Sequence, residues 1–231
     1  MQTMVGLVGG LGPEATIDYY RRILAAWEQR LPGSAPAMVI DSLDATRVLR
    51  LAASDRAALA EYVLGSVRRL EAAGAHFAVI TSNTTHVVFA DVAARCSIPL
   101  ISIVETCADE AVRLKLKRCA LIGARFTMEA PLYPKAFARR GLEIVVPDEL
   151  DRAWIHERYV SQLLKGDFRD DTRAEFVSLV RRLHEKHVLD AVILGGTELP
   201  LLLRTPTVAD LPALDTTGLH VAAIIRRLAP A

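Results

Sequence analysis

Residues 74–84 read Gly-Ala-His-Phe-Ala-Val-Ile-Thr-Ser-Asn-Thr, a short apolar run that ends in hydroxyl and amide side chains. Residues 188–197 read Val-Leu-Asp-Ala-Val-Ile-Leu-Gly-Gly-Thr and repeat this pattern. In each copy a helical stretch leads into an Ala-Val-Ile run, which is typical of a buried parallel strand. Because the two copies lie about half a chain apart, they indicate two similar α/β lobes. The alternative is a chance likeness between two buried strands.

The rest of the chain continues the alternation of short apolar runs with longer amphipathic stretches. The pattern predicts strands at residues 4–8, 37–41, 76–81, 100–103, 119–123, 143–146 and 191–194. It predicts helices at residues 14–29, 55–73, 106–116, 134–140, 154–164, 172–186 and 218–228. The expected class is α/β, with a mainly parallel sheet flanked by helices in each lobe. We expect lobe one to take residues 1–103 and 212–231, and lobe two to take residues 104–211.

Composition narrows the class of protein. The 231 residues carry a net charge of +1 and show no basic stripe, which argues against nucleic-acid binding. The 3 cysteines include no C-x-x-C pair, so neither a disulfide framework nor a zinc knuckle is indicated. The apolar runs are shorter than the roughly 18–20 residues that span a bilayer, and the N-terminus resembles a strand more than a signal peptide. We therefore expect a soluble, cytoplasmic protein with no membrane partner.

The first motif, Gly-Gly-Leu-Gly-Pro-Glu-Ala-Thr at residues 9–16, follows the first predicted strand. It formally fits the G-x-G-x-x-G/A dinucleotide fingerprint. Pro13 removes a backbone N–H where a pyrophosphate would bind, and Glu14 adds negative charge there. Asp41 also lies farther along the chain than the fingerprint expects. The motif instead predicts a tight turn with proline at the first helical position, which brings the backbone of Gly10 close to a small ligand.

The second motif, Thr-Ser-Asn-Thr-Thr-His at residues 81–86, lies at the carboxyl end of a predicted strand, where open α/β sheets bind ligands. Hydroxyl, amide and backbone N–H groups around Ser82, Asn83 and Thr84 suit a carboxylate. An ordinary helix N-cap explains the same residue types equally well. His86 lies four residues after Ser82 and could approach it, although a lone histidine is more often structural.

The third motif, Leu-Gly-Gly-Thr-Glu-Leu-Pro at residues 194–200, lies at the end of the predicted strand in the second copy of the repeated pattern. Gly196 permits a close backbone approach, while Thr197 and Glu198 supply polar groups. A glycine turn with a solvent-facing acid is the alternative. Two weaker candidates are Thr127, which follows another strand, and Lys165, whose place at a helix end is stabilising without any function. His-Glu-Lys-His at residues 184–187 has the wrong spacing for a metal site, so we expect no metal there.

Together these segments resemble the cofactor-independent aspartate/glutamate racemase family. The segments that match lie at residues 9–16, 82–86, 127–129, 164–166 and 194–202, in the family's order along the chain. The resemblance implies two pseudo-symmetric lobes with a substrate site between them, a homodimer, and no pyridoxal, nucleotide or metal cofactor. It also implies that Asn83, Thr84, Thr127 and Thr197 hold a substrate carboxylate, with Lys165 as a more distant candidate.

The chain departs from that family at the two positions that matter most for its chemistry. In the family, two cysteines face each other across the substrate α-carbon, and these would fall at Ser82 and Gly196. Cysteine suits the task because its pKa of about 8.5 allows both protonation states near neutrality. A serine hydroxyl is far less acidic and needs a neighbouring base, and glycine has no side chain.

We therefore predict a racemase-like isomerase that binds a small amino or dicarboxylic acid without the usual two-thiol pair. Ser82, His86 and Glu198 are the candidate acid/base groups that replace it. One alternative is a lyase, decarboxylase or cyclase on the same scaffold, because such a reaction needs no base on one face. The other is a carboxylate-binding protein without catalysis.

Overall fold

The computed structural model describes residues 2–229, which divide into two compact units. Unit 1 contains the chain up to Ile103 and again from His220 onward, and unit 2 contains Val104–Leu219. The returning segment of unit 1 thus begins later than the residue 212 expected from the sequence. The reason is that Leu211–Asp215 pairs with Ala191–Gly195 as a strand of the second sheet.

Unit 1 is built on a four-stranded parallel sheet in the order β2-β1-β3-β4. Its strands are β1 (Met4–Gly9), β2 (Ala37–Ser42), β3 (Phe77–Ile80) and β4 (Leu100–Ile101). Its helices are α1 (Pro13–Arg30), α2 (Ala45–Ser54), α3 (Arg56–Ala72) and α4 (Phe89–Ala93), with a 3-10 helix at Thr84–Val88. The central strand β3 is buried along its whole length.

Unit 2 is built on a five-stranded sheet in the order β6-β5-β7-β9-β8, in which β8 alone runs antiparallel to its neighbour. Its strands are β5 (Arg118–Gly123), β6 (Glu143–Val145), β7 (Ala191–Gly195), β8 (Thr207–Val208) and β9 (Leu211–Asp215). Its helices are α5 (Ile103–Arg113), α6 (Arg125–Glu129), α7 (Leu132–Ala138), α8 (Glu149–Ser161), α9 (Asp170–His187) and α10 (Leu199–Leu203), with a 3-10 helix at Leu163–Lys165. Helix α11 (Thr216–Leu228) begins in unit 2 and continues into unit 1.

Apolar side chains on both faces of each sheet form the cores. In unit 1, Val5, Leu7 and Val79 of the sheet pack with Ile23 of α1 and Ile224 of α11. In unit 2, the strand residues of one face pack with α8 and α9. This burial explains why the strands read as continuous apolar runs, and it confirms the predicted α/β class.

Sequence periodicity missed helix α2, the short helices α4, α6 and α10, the 3-10 helix at Thr84–Val88, and strands β8 and β9. Helix α2 was not predicted, although Asp44 caps it by accepting backbone N–H bonds from Thr46 and Arg47. Strand β8 was missed because it has only two residues, and β9 was missed because Pro212 interrupts its apolar run. In the described part of the chain, no helix is both long and apolar enough to cross a bilayer.

Candidate functional site

The glycine-rich loop of unit 1 is the tight turn that the sequence predicts. Pro13 is the first residue of α1, and only residues 10–12 separate it from the end of β1. Gly10 has φ of +74°, and its N–H donates to the hydroxyl of Thr16 at 2.9 Å. A Cβ added at Gly10 would overlap the carbonyl oxygen of Leu43. The loop therefore requires glycine for both its backbone conformation and its close packing.

Ser82 follows β3, and within residues 2–229 the hydrogen bonds of its hydroxyl are both with Thr85 of the same loop. Its Oγ accepts a bond from the hydroxyl of Thr85 at 3.1 Å and a longer one from the Thr85 N–H at 3.4 Å. Asn83 and Thr85 are buried, while Thr84 is half-buried. Among residues 2–229, neither an imidazole nor a carboxylate is a hydrogen-bond partner of the Ser82 hydroxyl. Ser82 thus lacks the adjacent base that an activated serine needs.

His86 lies beside the backbone of Ser82 and not beside its hydroxyl. Its Nδ1 donates to the Ser82 carbonyl oxygen at 2.7 Å, so Nε2 is left to accept the Ile103 N–H at 3.2 Å. The ring also stacks on Phe89 with centroids 5.0 Å apart. Burial lowers the pKa of His86 to about 4, so the imidazole is neutral at pH 7. A catalytic role for His86 stays a prediction, because both ring nitrogens already hold the loop.

Sequence reasoning missed a second buried histidine in unit 1, His220 of α11. Its Nε2 donates to the carbonyl oxygen of Ile101 at 3.0 Å, and its Nδ1 accepts from the hydroxyl of Tyr19 at 2.8 Å. Burial, with the nearby His86, lowers the pKa of His220 to about 3. A single histidine in an amphipathic helix carries no local signal, since its partners are distant in sequence.

In unit 2, the carboxyl ends of β5 and β7 lie side by side. Gly123 pairs in register with Gly195, and a Cβ added at Gly195 would lie 3.3 Å from the Cγ2 of Thr127. Thr127 and Thr197 are both buried. Two of the predicted carboxylate-binding threonines therefore follow adjacent strand ends, as ligand sites in open α/β sheets do.

Glu198 is buried, with 3% of its surface exposed, so the alternative of a solvent-facing acid is wrong. Its Oε2 accepts hydrogen bonds from the hydroxyls of Thr197 and Tyr159, each at 3.0 Å. Burial raises the pKa of Glu198, and burial together with the neighbouring Glu198 holds the pKa of Tyr159 well above its usual value.

The structure explains why residue 196 is glycine. A Cβ added there would overlap the hydroxyl of Tyr159, which comes from α8. Sequence reasoning missed Tyr159, because it reads as one more apolar position of an amphipathic helix. Its polar partner lies in a different strand-end loop, far along the chain.

Other candidates of unit 2 lie farther out or have incomplete hydrogen bonding. Lys165 is exposed in the 3-10 helix that follows α8. Nε of Arg125 and Nδ1 of His156 are buried and have no hydrogen-bond partner within residues 2–229. Arg125 lies on the same short helix as Thr127. The pKa of His156 is lowered mainly by burial and, to a smaller extent, by the positive charge of Arg125. These two nitrogens can serve an acceptor on a ligand.

None of the three cysteines lies in the strand-end loops at residues 82–86 and 195–198. Cys107 and Cys119 are buried in α5 and in the first half of β5, and Cys96 is partly buried. Burial raises the pKa of all three, that of Cys119 to about 12. They are therefore protonated at neutral pH and lie away from the strand-end loops. No cluster of three metal-ligating side chains is found in the described residues.

Comparison with known proteins gives concordant matches. The model of the Asp/Glu/Hydantoin racemase family matches residues 8–224. The broad-specificity amino-acid racemase RacX of Bacillus subtilis (strain 168) is 22% identical over 220 residues, which cover 93% of each chain.

Solved structures extend this likeness to the whole fold. A candidate Asp/Glu racemase from Yersinia pestis is 28% identical with a TM-score of 0.87, over 98% of this chain and 99% of that one. An aspartate racemase homologue from Pyrococcus horikoshii OT3 is 26% identical with a TM-score of 0.82, over 99% of both chains. The fold of these solved structures and the match to the family model therefore point to the same family.

Proposed function

The chain belongs to the Asp/Glu/Hydantoin racemase family, and from that premise we propose that it is an isomerase-like enzyme acting on a small amino or dicarboxylic acid. The observation that carries the proposal is the repeated arrangement of polar loops at strand ends. Residues 82–85 follow β3, an inner strand of unit 1, and residues 196–198 follow β7, the central strand of unit 2. Each loop holds buried hydroxyl or amide side chains where a ligand of a parallel sheet binds.

Recognition of a carboxylate is the first part of the proposal. The candidate donors are Asn83 and Thr84 in unit 1, and Thr127 and Thr197 in unit 2. Gly10 would let the backbone of its loop approach the ligand closely. Removing an α-proton places negative charge on the adjacent carboxylate, so fixed donors at that group favour the reaction. The unpartnered nitrogens of Arg125 and His156 support an anionic ligand for the same reason.

Proton transfer is the second part. Residue 82 is a serine without a base beside it, residue 196 has no side chain, and the cysteines are protonated in buried positions. Glu198 is the buried carboxyl group that remains at a strand end, and its raised pKa suits a group that gives and takes protons. We therefore assign proton transfer to Glu198 rather than to a pair of thiols.

A lyase or decarboxylase is the second candidate function. The surroundings of Ser82 favour it, because the hydroxyl of Ser82 is hydrogen-bonded to Thr85 and not to a base that could help it accept a proton. A reaction that forms its carbanion by breaking a carbon–carbon bond needs only a proton donor afterwards. Such a reaction consumes its substrate, whereas an isomerase returns it.

The test is an NMR screen in D₂O with both enantiomers of the common amino acids and with small dicarboxylates. An isomerase incorporates deuterium at the α-carbon of recovered substrate, and binding of the same compounds is measured by ligand-observed NMR. Consumption of a substrate without deuterium in the remainder supports the lyase. Binding without either change leaves a non-catalytic carboxylate-binding protein and contradicts the enzyme proposal.

The proposal also includes a homodimer that works without a cofactor. Light scattering on the purified protein measures its mass in solution. The same NMR screen is repeated with a metal chelator present and without any added cofactor. A monomer, or activity that a chelator removes, contradicts this part alone.

A further inference from the structure

Glu198 is a carboxyl group placed where a purely structural role is costly. It is almost fully buried, and no lysine, arginine or histidine forms an ion pair with it within residues 2–229. Its hydrogen-bond donors are two neutral hydroxyls, those of Tyr159 and Thr197. An ionised carboxylate without a cation costs several kcal/mol to bury. Groups in such surroundings are concentrated at functional sites.

The hydroxyl of Tyr159 contacts both the carboxyl group of Glu198 and the backbone of the strand-end loop. Its Oη lies 3.0 Å from Oε2 of Glu198 and occupies the space of the missing Cβ of Gly196. A phenol hydroxyl is therefore held at the carboxyl end of β7, with one side on the carboxyl group and the other against a residue that has no side chain. No side chain of residue 196 competes with the hydroxyl for this space.

We propose that Tyr159 is a catalytic residue that passes protons between a substrate carbon and Glu198. The carbon–hydrogen bond breaks and its proton forms a new bond to Oη of Tyr159. In the same step the original Oη proton moves to Oε2 of Glu198, and the electron pair stays on the substrate carbon next to the carboxylate. The reverse step returns a proton from Glu198 through Tyr159. Tyrosine is neutral before and after, so no phenolate is needed.

The relay accounts for the chemistry of both side chains. A tyrosine whose pKa lies well above its usual value stays protonated at neutral pH and supplies no phenolate base, but its hydroxyl can accept one proton and donate another in one concerted step. The hydroxyl of Thr197 holds the same oxygen of Glu198 and so orients the carboxyl group toward Tyr159. Ser82 has no comparable partner within residues 2–229, so the relay alone removes and returns the proton.

This inference rests on the proposed function and predicts a specific outcome for it. A single relay removes and returns protons on one face, so deuterium enters the α-carbon faster than the enantiomers interconvert. The experiment measures deuterium incorporation by NMR and enantiomer composition by chiral chromatography, on the best substrate of the amino-acid screen. The variants are Tyr159→Phe and Glu198→Gln, with Tyr20→Phe as the matched control, because Tyr20 is an exposed tyrosine of α1.

We expect Tyr159→Phe and Glu198→Gln each to lower the exchange rate at saturating substrate by about 100-fold or more. The dissociation constant should stay within about threefold, and Tyr20→Phe should exchange like the wild type. Because the relay needs the carboxylate form of Glu198, exchange should rise with pH through the pKa of that group. Glu198→Gln should abolish this pH dependence, which a purely structural role would not do.

Two results distinguish a failure of the relay from a failure of the proposed function. If either folded variant exchanges at the wild-type rate, the relay is overturned while the proposed function stands. If the wild type neither binds nor exchanges any compound of the screen, the proposed function fails and the relay fails with it. Glu198→Gln conserves shape and thus tests the relay even if Tyr159→Phe does not fold.

Discussion

The hydroxyl oxygen of Tyr159 fills the space that a side chain at Gly196 would need. Tyr159 is 2% exposed and packs in the apolar core of unit 2, so its ring cannot move without disturbing that core. The two residues are therefore coupled: glycine at 196 and tyrosine at 159 require each other. The family resemblance implies a thiol at residue 196, and the structure has the hydroxyl of Tyr159 in the space that such a side chain would need.

Gly196→Ala should destabilise unit 2 by about 1–3 kcal/mol, because the new methyl group must displace a packed ring. Urea denaturation followed by circular dichroism measures the free energy of unfolding. Gly65→Ala is the control, since a Cβ there meets only Arg69 at 3.5 Å and alanine favours its helix. Tyr159→Val itself costs stability, but in its background Gly196→Ala should cost much less than it does in the wild type. Simple additivity of the two substitutions would contradict the coupling.

Restoring two thiols should need three substitutions. Ser82→Cys with Gly196→Cys should not racemise substrate, because Tyr159 blocks the new side chain. With Tyr159→Val added, racemisation should appear on at least one amino acid, as measured by chiral chromatography. The matched control replaces Ser82→Cys by Ser82→Ala in the triple variant and should remain inactive. Racemisation by the double variant would show that Tyr159 does not limit residue 196.

Gly10→Ala should cost more stability than Gly33→Ala. Both glycines have positive φ, of +74° and +77°, so both substitutions strain the backbone. A Cβ at Gly10 also overlaps the carbonyl oxygen of Leu43, whereas a Cβ at Gly33 meets open space. We expect a difference of about 1–3 kcal/mol in the free energy of unfolding. Equal costs for the two variants would mean that the loop can shift to admit a side chain.

The stability of unit 1 should fall in mild acid because of His86 and His220. Burial lowers their pKa values to about 4 and about 3, whereas an unfolded histidine titrates near 6.5. The unfolded chain therefore binds protons first as the pH falls below about 6.5. Each imidazole then removes up to about 1.4 kcal/mol of stability per pH unit, until its own pKa in the folded state is reached. Above pH 6.5 this contribution is constant.

Urea denaturation of the wild type and of His220→Gln between pH 7.5 and about pH 4.5 tests this expectation. The variant should be less stable at pH 7.5, because it loses the bonds to Tyr19 and Ile101. Its stability should also fall less steeply with acid than that of the wild type. Parallel slopes for the two proteins would show that His220 titrates normally in the folded state.

Much of the fold follows from patterns that are local in the chain. Apolar β-branched runs predicted seven of the strands and the α/β class, because a parallel sheet covered on both faces excludes polar residues. The motif at residues 9–16 predicted Pro13 as the first residue of α1. Strand β9 was not predicted, because Pro212 interrupts its apolar run. Because β9 pairs with β7 in the second sheet, the returning segment of unit 1 begins at His220 and not at the expected residue 212.

The sequence by itself determined the family, the parallel sheets and the strand-end loops at residues 82–86 and 195–198, since these depend on residue type and spacing. It also showed that neither residue 82 nor residue 196 is a cysteine. Only the tertiary structure decided which groups those loops meet. It placed His86 on the backbone of Ser82, buried Glu198, and brought Tyr159 against Gly196. Contacts between residues 37 positions apart depend on how helices and strands pack, and no local pattern records that packing.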